Sequence, residues 1–229
     1  MTRVLIVEDD RDIGLSLRYA LEKEPGFNVR VAQDGESALR EALREVPDVV
    51  LLDLNLPGID GLGVCGRLRS GKTTSTVPII MITARVEEAD KLAGLGQGAD
   101  DYITKPFSVK EVVARVQALL RRARTTLDRP EILTRDGVEL DESRRRVTVD
   151  GGEVALTRKE FDLLADLLRR PGRVSSREQL LERVWGPGHP AMPRTVDVHV
   201  RQLRLKLGQR AAALIETVIG VGYRLRGDD

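Results

Sequence analysis

Val49-Val50-Leu51-Leu52-Asp53-Leu54-Asn55-Leu56-Pro57 decides how the chain is read, because an unbroken aliphatic run carries one carboxylate to its own end. Such a run reads as a strand buried on both faces, the kind found inside parallel sheets, and Pro57-Gly58 stops it at once. Asp53 therefore stands at a strand's C-terminal edge, where ligands collect in open parallel sheets. A solitary Asp at that place would merely cap the next turn. Asp53 has company: Val4-Leu5-Ile6-Val7 is a second aliphatic strand, and it ends in Glu8-Asp9-Asp10. Neighbouring parallel strands would crowd these carboxylates, which is costly unless a cation sits among them. Further on, Pro78-Ile79-Ile80-Met81-Ile82 ends at Thr83, and Asp101-Tyr102-Ile103-Thr104 ends at Lys105-Pro106, so a hydroxyl and an ammonium join the acids.

Outward from this strand the first half alternates strands with helices. Asp12 to Glu22 and Gly35 to Glu45 read as helices on either side of a short strand, Val29-Arg30-Val31-Ala32. Ser108 to Arg122 reads as a last helix, with Val109, Val112, Val113, Val116, Leu119 and Leu120 as one apolar stripe. This rhythm predicts an α/β fold, doubly wound, with helices on both faces of the sheet. Two motif matches lack the context their chemistry needs. Gly61 to Gly66 fits GxGxxG and Gly66 to Thr73 fits GxxxxGKT, patterns that require a strand directly before and a helix directly after. Here the first falls inside a helix expected from Leu62 to Arg69, and the second starts in that helix and runs into a loop. Gly63 and Gly66 weaken such a helix by about 1 kcal/mol each relative to Ala.

At 229 residues the chain exceeds one average domain, so two are expected. A hydrophobic fraction of 41% permits real cores, and 3% aromatic residues make them aliphatic. No apolar stretch approaches the ~20 residues of a membrane span, and the opening residues lack a signal-peptide pattern. The expected location is cytoplasmic, with no membrane partner. Cys65 is the single cysteine, which leaves neither an intramolecular disulfide nor a zinc cluster and suits a quiet core thiol. Residues 1–122 carry 17 basic and 19 acidic side chains and the remainder 20 and 17. Any contact with nucleic acid must therefore come from a local patch.

The acids Glu8, Asp9 and Asp10, the Asp53 strand with Asn55, Thr83, and Lys105-Pro106, in this order and spacing, resemble the receiver domain of two-component response regulators over residues 1–122. The resemblance implies a flavodoxin-like (βα)5 unit with strand order 2-1-3-4-5. It implies that Asp53 is the phosphoacceptor for a sensor histidine kinase, and that Glu8, Asp9, Asp53 and the Asn55 carbonyl hold Mg2+. Thr83 and Lys105 would bind phosphoryl oxygens, Tyr102 would move with Thr83, and Asp10 would be an outer acid. In-line phosphoryl transfer needs positioning and positive charge on the equatorial oxygens, which this set supplies. In the OmpR/PhoB subfamily the face of the last receiver helix forms a symmetric dimer. That implies cross-subunit pairs Lys91 with Glu111, Asp101 with Arg115, and Asp100 with Arg122, around Leu92, Leu95 and Ala114. On a merely solvated face, Glu111 and Arg115 at i,i+4 would add only a few tenths of a kcal/mol.

Residues 123–130 are polar and read as a linker, leaving 131–229 as a second domain. Ile132-Leu133, Val138-Glu139-Leu140, Arg146 to Val149 and Val154-Ala155-Leu156 are short strand candidates separated by Asp136-Gly137 and Asp150-Gly151-Gly152. Thr157 to Glu160 is a capping box opening a helix that buries Phe161, Leu164, Leu167 and Leu168. A second helix is expected from Ser176 to Val184, and Trp185 to Pro193 is a loop. A third, from Arg194 to Leu207, has an apolar stripe of Val196, Val200, Leu203 and Leu207, opposite Arg194, Val198, His199, Arg201, Gln202, Arg204 and Lys206. Ile215 to Val218 and Tyr223 to Leu225 close the chain as a hairpin.

These elements, with Arg194 to Arg201 and Gly220 to Arg224, resemble the α+β winged helix-turn-helix output domain of the OmpR/PhoB subfamily. The resemblance implies a recognition helix in the major groove of double-stranded promoter DNA and a wing near the minor groove. Arg194, His199, Arg201, Arg204 and Tyr223 would hold phosphates, while Val198 and Gln202 touch base edges, Gln suiting adenine. Ile219 stands where many relatives carry a basic residue. The Trp185 to Pro193 loop resembles the segment that meets RNA polymerase. The reading is a phosphorylation-dependent transcriptional regulator, a homodimer when phosphorylated, and not a metabolic enzyme. Its rivals are a phosphorylation-independent DNA-binding or adaptor protein and an aspartyl phosphatase. Phosphatases of that kind usually carry a second acid two residues after the nucleophile, a place held here by Asn55.

Overall fold

The computed structural model describes residues 1–83, 98–125, 132–186 and 193–227. The chain divides into two compact units, Met1–Arg124 and Thr125–Asp229. In the first, β1 (Thr2–Val7), α1 (Arg11–Glu22), β2 (Phe27–Ala32), α2 (Gly35–Arg44), β3 (Val49–Asp53), α3 (Gly61–Ser70), β4 (Ile79–Thr83), β5 (Asp101–Thr104) and α4 (Val109–Thr125) follow one another. The sheet is parallel, in the order β2-β1-β3-β4-β5. Alternation along each strand makes two cores. Leu5, Val7, Val50 and Leu52 pack with Ala38, Val64 and Leu68 of α2 and α3, while Val4, Ile6, Val49 and Leu51 pack with Leu17 of α1 and Val112 and Val116 of α4. The four aliphatic residues of β3 are fully buried, each contributing up to ~1.5–3 kcal/mol.

Helix starts follow their caps. Asp10 accepts from the Asp12 and Ile13 amides, Asp34 from Ser37, and Asp60 from Gly63. Both glycine-rich matches fall as expected, inside α3 and the turn behind it. Gly61 has a packing reason: a Cβ there would lie 2.2 Å from the Asp53 carbonyl oxygen and 2.7 Å from the Leu54 Cα. Helix α4 runs to Thr125, past the expected boundary at 122, so the linker cannot begin at Ala123; residues 126–131 lie outside the described residues.

The second unit begins with β6 (Ile132–Arg135), β7 (Val138–Asp141), β8 (Arg146–Val149) and β9 (Gly152–Glu153), an antiparallel sheet in sequence order. The strand expected at Val154 to Leu156 is instead β9. Asp150 and Gly151 both adopt positive φ, as a two-residue hairpin turn demands, so pairing resumes at once with Gly152 opposite Val149. Next come α5 (Arg158–Leu168), β10 (Ser175–Ser176), α6 (Arg177–Trp185), α7 (Arg194–Ala212), β11 (Ile215–Val218) and β12 (Gly222–Leu225). Thr157 with Glu160 and Ser176 with Gln179 form capping boxes. Helix α7 is interrupted at Gly208, whose φ of +75° and ψ of 168° are not helical, so its first segment ends at Leu207. β10 pairs with β12, giving the closing hairpin a third strand. The core is formed by Phe161, Leu164, Leu180, Val196, Val200, Leu203 and Ile215 among others.

Candidate functional site

The parallel register brings the strand ends together. β1 and β3 are neighbours, so Glu8 and Asp9 follow β1 beside Asp53 at the end of β3, and carboxylate oxygens of all three lie within 4.8 Å of one another. Thr83 ends β4, and its carbonyl accepts from the Lys105 amide at 2.7 Å. Lys105 reaches back across the edge. Its Nζ donates to Asp53 Oδ2 at 2.5 Å and to Glu8 Oε1 at 2.8 Å. Asp53 Oδ1 accepts from the Asn55 amide at 2.9 Å, and the Lys105-Pro106 bond is cis. Glu8, Asp53 and Thr83 are buried, while Asp9 and Asn55 are exposed.

Electrostatics here is a contest between burial and pairing. Burial pushes the Glu8 carboxyl up, Lys105 opposes this, and the Asp53 charge adds to it, leaving Glu8 at about 7. For Lys105 burial works toward a lower value, but hydrogen bonds to Asp53 and Glu8 outweigh it and the ammonium is held above its ordinary range. Glu8 Oε2 is buried and has no hydrogen-bond partner among the described residues. A hard cation wants oxygen donors of this kind. The residues fit such an ion: three carboxylates converge, and one of their oxygens is buried with no hydrogen-bond partner among the described residues.

Other expected residues divide. Asp10 spends its carboxylate on the α1 N-terminus. Tyr102 is partly buried against the core under α2 and α3. Asp100 does not lie on an outward face: it is 0% exposed, and its Oδ2 accepts from Arg69 at 2.9 Å and from the Ile79 amide at 2.8 Å. Its position just before β5 turns it inward, onto an Arg69 that also binds the carbonyls of Gly98, Ser75 and Val77. Asp101 is buried and pairs with Arg115 within the same chain at 3.0 Å, and Arg115 also takes Glu111 at 2.7 Å. Glu111 and Ala114 are exposed. Lys91, Leu92, Leu95 and the Arg122 side chain lie outside the described residues. Cys65 is a core thiol, pushed up to about 11 by burial.

On α7 the outward row is Arg194, Val198, Arg201, Gln202 and Leu205, at the spacing of one helix face. Two expectations fail there. His199 is 1% exposed and packs on Trp185, ring centroids 5.1 Å apart, because it lies three residues after Val196 and one before Val200, on the apolar side of the helix. It is a core residue, not a phosphate ligand. Tyr223 is also buried, and its hydroxyl donates to Asp197 at 2.6 Å instead of facing a phosphate. Burial first, and then that bond to Asp197, push the phenol to about 12. Arg204 donates to the Ile215 carbonyl at 2.6 Å and to Thr217 at 2.9 Å, tying α7 to the hairpin.

The sequence reading missed Leu205 and Arg177. Arg177 donates to Asp197 at 2.7 Å, and its guanidinium and that of Arg204 both lie over the Tyr223 ring, at 5.2 and 5.6 Å. The available signal was a cation in the first turn of a helix, where the helix dipole disfavours one. In the expected polymerase-contacting loop, residues 187–192 lie outside the described residues.

Known proteins share both halves. Residues 4–117 match the family described as "Response regulator receiver domain", and residues 151–225 match "Transcriptional regulatory protein, C terminal". The chain is 47% identical over 232 residues to the sensory transduction protein RegX3 of Mycolicibacterium smegmatis, covering 99% of this chain and 100% of that protein. It is 47% identical over 226 residues to the DNA-binding response regulator MtrA of Mycolicibacterium paratuberculosis, covering 97% of each. Among solved structures, a mutant of RitR matches with a TM-score of 0.81 at 30% identity over 100% of both chains. DrrB, a Thermotoga maritima OmpR/PhoB homologue, matches with a TM-score of 0.53 at 29% identity, covering 99% of this chain and 100% of that one. With acids, hydroxyl and lysine gathered on one sheet edge and a winged helix following it, the chain belongs to the two-component response regulators of OmpR/PhoB type, DNA-binding regulators of transcription.

Proposed function

We propose that Asp53 is the phosphoacceptor and that its modification switches DNA binding by the second unit. The observation that carries this is the Lys105 ammonium bridging Asp53 Oδ2 and Glu8 Oε1 at the sheet edge, beside a Glu8 oxygen that lacks a partner among the described residues. An Asp53 oxygen attacks the phosphorus of a kinase phosphohistidine. The new O–P bond forms as the N–P bond breaks, and the imidazole leaves with the electron pair. Glu8, Asp9, Asp53 and the Asn55 carbonyl would hold Mg2+, which supplies positive charge to the phosphoryl oxygens in flight. Lys105 then exchanges its carboxylate partners for a phosphoryl oxygen, Thr83 donates its hydroxyl to another, and Tyr102 repacks behind it.

The phosphoryl group adds nearly two negative charges, and the proposed consequence is homodimerisation through the α4 face bearing Glu111, Ala114 and Arg115. Asp100 has no part in that interface while Arg69 holds it. The dimer binds two half-sites of promoter DNA, and RNA polymerase is its further partner. The test treats wild type and Asp53→Asn with acetyl phosphate and Mg2+. Mass spectrometry should find one added phosphoryl group on wild type only, accompanied by a rise in solution mass and in DNA affinity. Equal modification of both proteins, or modification with no change in DNA affinity, would overturn the reading.

A further inference from the structure

One carboxylate oxygen in the second unit gathers donors from two other elements. Asp197, in the first turn of α7, accepts at Oδ1 from the Tyr223 hydroxyl of β12 at 2.6 Å and from Nε of Arg177, the first residue of α6, at 2.7 Å. Sheet register explains the meeting. Tyr223 lies in the central strand, opposite Ser175 of β10 on one side and Thr217 of β11 on the other. Just past Ser175 the Ser176 cap turns the chain into α6, which brings Arg177 over the Tyr223 ring, 5.2 Å from its centroid. From the β11 side Arg204 lies over the same ring at 5.6 Å while donating to Thr217 Oγ1 and the Ile215 carbonyl.

Asp197 and Arg204 are seven positions apart, which is two turns along one flank of α7. Asp197 stands between Val196, fully buried in the core, and Val198 on the outward row. Burial of the stripe Val196, Val200, Leu203 and Leu207 sets how deep α7 sits, but that force has no direction of its own. Hydrogen bonds do. The roll of α7 about its axis is therefore held by the bonds on this flank, those of Arg204 at one turn and those of Asp197 two turns nearer the N-terminus. Side-chain tips lie about 5–6 Å from a helix axis, so a roll of ~10° carries the outward row about 1 Å. A shift of that size breaks a paired hydrogen bond.

We propose that Asp197 is a positioning residue for DNA reading: by holding Tyr223 and Arg177 on one oxygen it fixes the roll of α7, and with it the aim of Val198 and Gln202. This rests on α7 being the helix that reads bases. Asp197 carries the same sign of charge as a phosphate, so it adds nothing to attraction for the DNA backbone. Its contribution is to selectivity. Contacts to phosphates carry no sequence information, whereas contacts to base edges fail when their geometry drifts. Affinity for the right sequence therefore depends on Asp197, and affinity for any sequence does not.

The test uses the full chain on a duplex that it selects from random sequence and on random duplex, at one salt concentration. Asp197→Ala loses both bonds and should lower the ratio of the two affinities by on the order of tenfold, with affinity for random duplex within about twofold of wild type. Asp197→Asn keeps an acceptor oxygen and should retain most of the ratio. Tyr223→Phe removes one donor and should fall between them. A fraction of unfolded chain lowers both affinities alike and leaves the ratio unchanged, so equal losses on the two duplexes would mark a merely stabilising carboxylate and overturn the proposal. Asp197→Asn falling as far as Asp197→Ala would overturn it too. A wild-type ratio in Gln202→Ala would instead overturn base reading by α7, and the positioning role with it.

Discussion

At the scale of single residues, Lys105 and His199 show how much depends on surroundings that spacing only partly reveals. Lys105 was legible because it follows an apolar strand directly, and a parallel sheet gathers its strand ends. His199 was misread because it was grouped with arginines by polarity. Its place between Val196 and Val200 put it on the buried stripe. The buried ring predicts a separation of effects. His199→Ala should lower stability by about 2 kcal/mol through the cavity left against Trp185, measured by urea unfolding, while the salt dependence of DNA affinity stays at the wild-type slope. Arg201→Ala should do the reverse, flattening that slope by about one unit with little change in stability. A flattened slope for His199→Ala would return that ring to the interface.

At the scale of elements, hydrophobic period and punctuation carried most of the fold. Helices α1, α2, α5 and α6 start where Asp10, Asp34, Thr157 and Ser176 cap them, and the two Asp-Gly pairs form the tight hairpin turns. Elements that exist only through a partner were not legible. β10 is two serines made into a strand by β12, and it can form because Gly222 lets the chains touch: a Cβ there would sit 2.1 Å from the Ser175 carbonyl oxygen. The inward turn of Asp100 depended likewise on Arg69, 31 positions away. Gly61 belongs with these tertiary demands, since nothing in α3 requires a glycine at its first residue, yet the β3–α3 loop leaves no room for a side chain. Gly61→Ala should cost about 3 kcal/mol and push the Asp53 backbone out of place. Slower modification by acetyl phosphate at saturating Mg2+, in protein still folded by circular dichroism, would register the displacement; wild-type rates would remove it.

At the scale of the molecule, each unit closes its own core. The receiver's two apolar layers and the winged helix's single one share no residue. Cooperativity follows the core, so the full chain should unfold on heating in two transitions instead of one. Among the described residues, only the first unit has carboxylates arranged for a divalent cation, at Glu8, Asp9 and Asp53. A ligand that binds one folded unit stabilises that unit alone, by about 2.7 kcal/mol at a hundredfold excess over its Kd. Calorimetry in chelator and then in saturating Mg2+ should therefore raise one transition by on the order of 10 °C and leave the other in place. In Glu8→Gln the shift should shrink, because the variant removes a charged donor while keeping the Lys105 contact. The winged-helix transition should respond instead to duplex DNA. If Mg2+ moved both transitions equally, or Glu8→Gln kept the full shift, the carboxylate edge would not be the cation site and the two cores would not be independent.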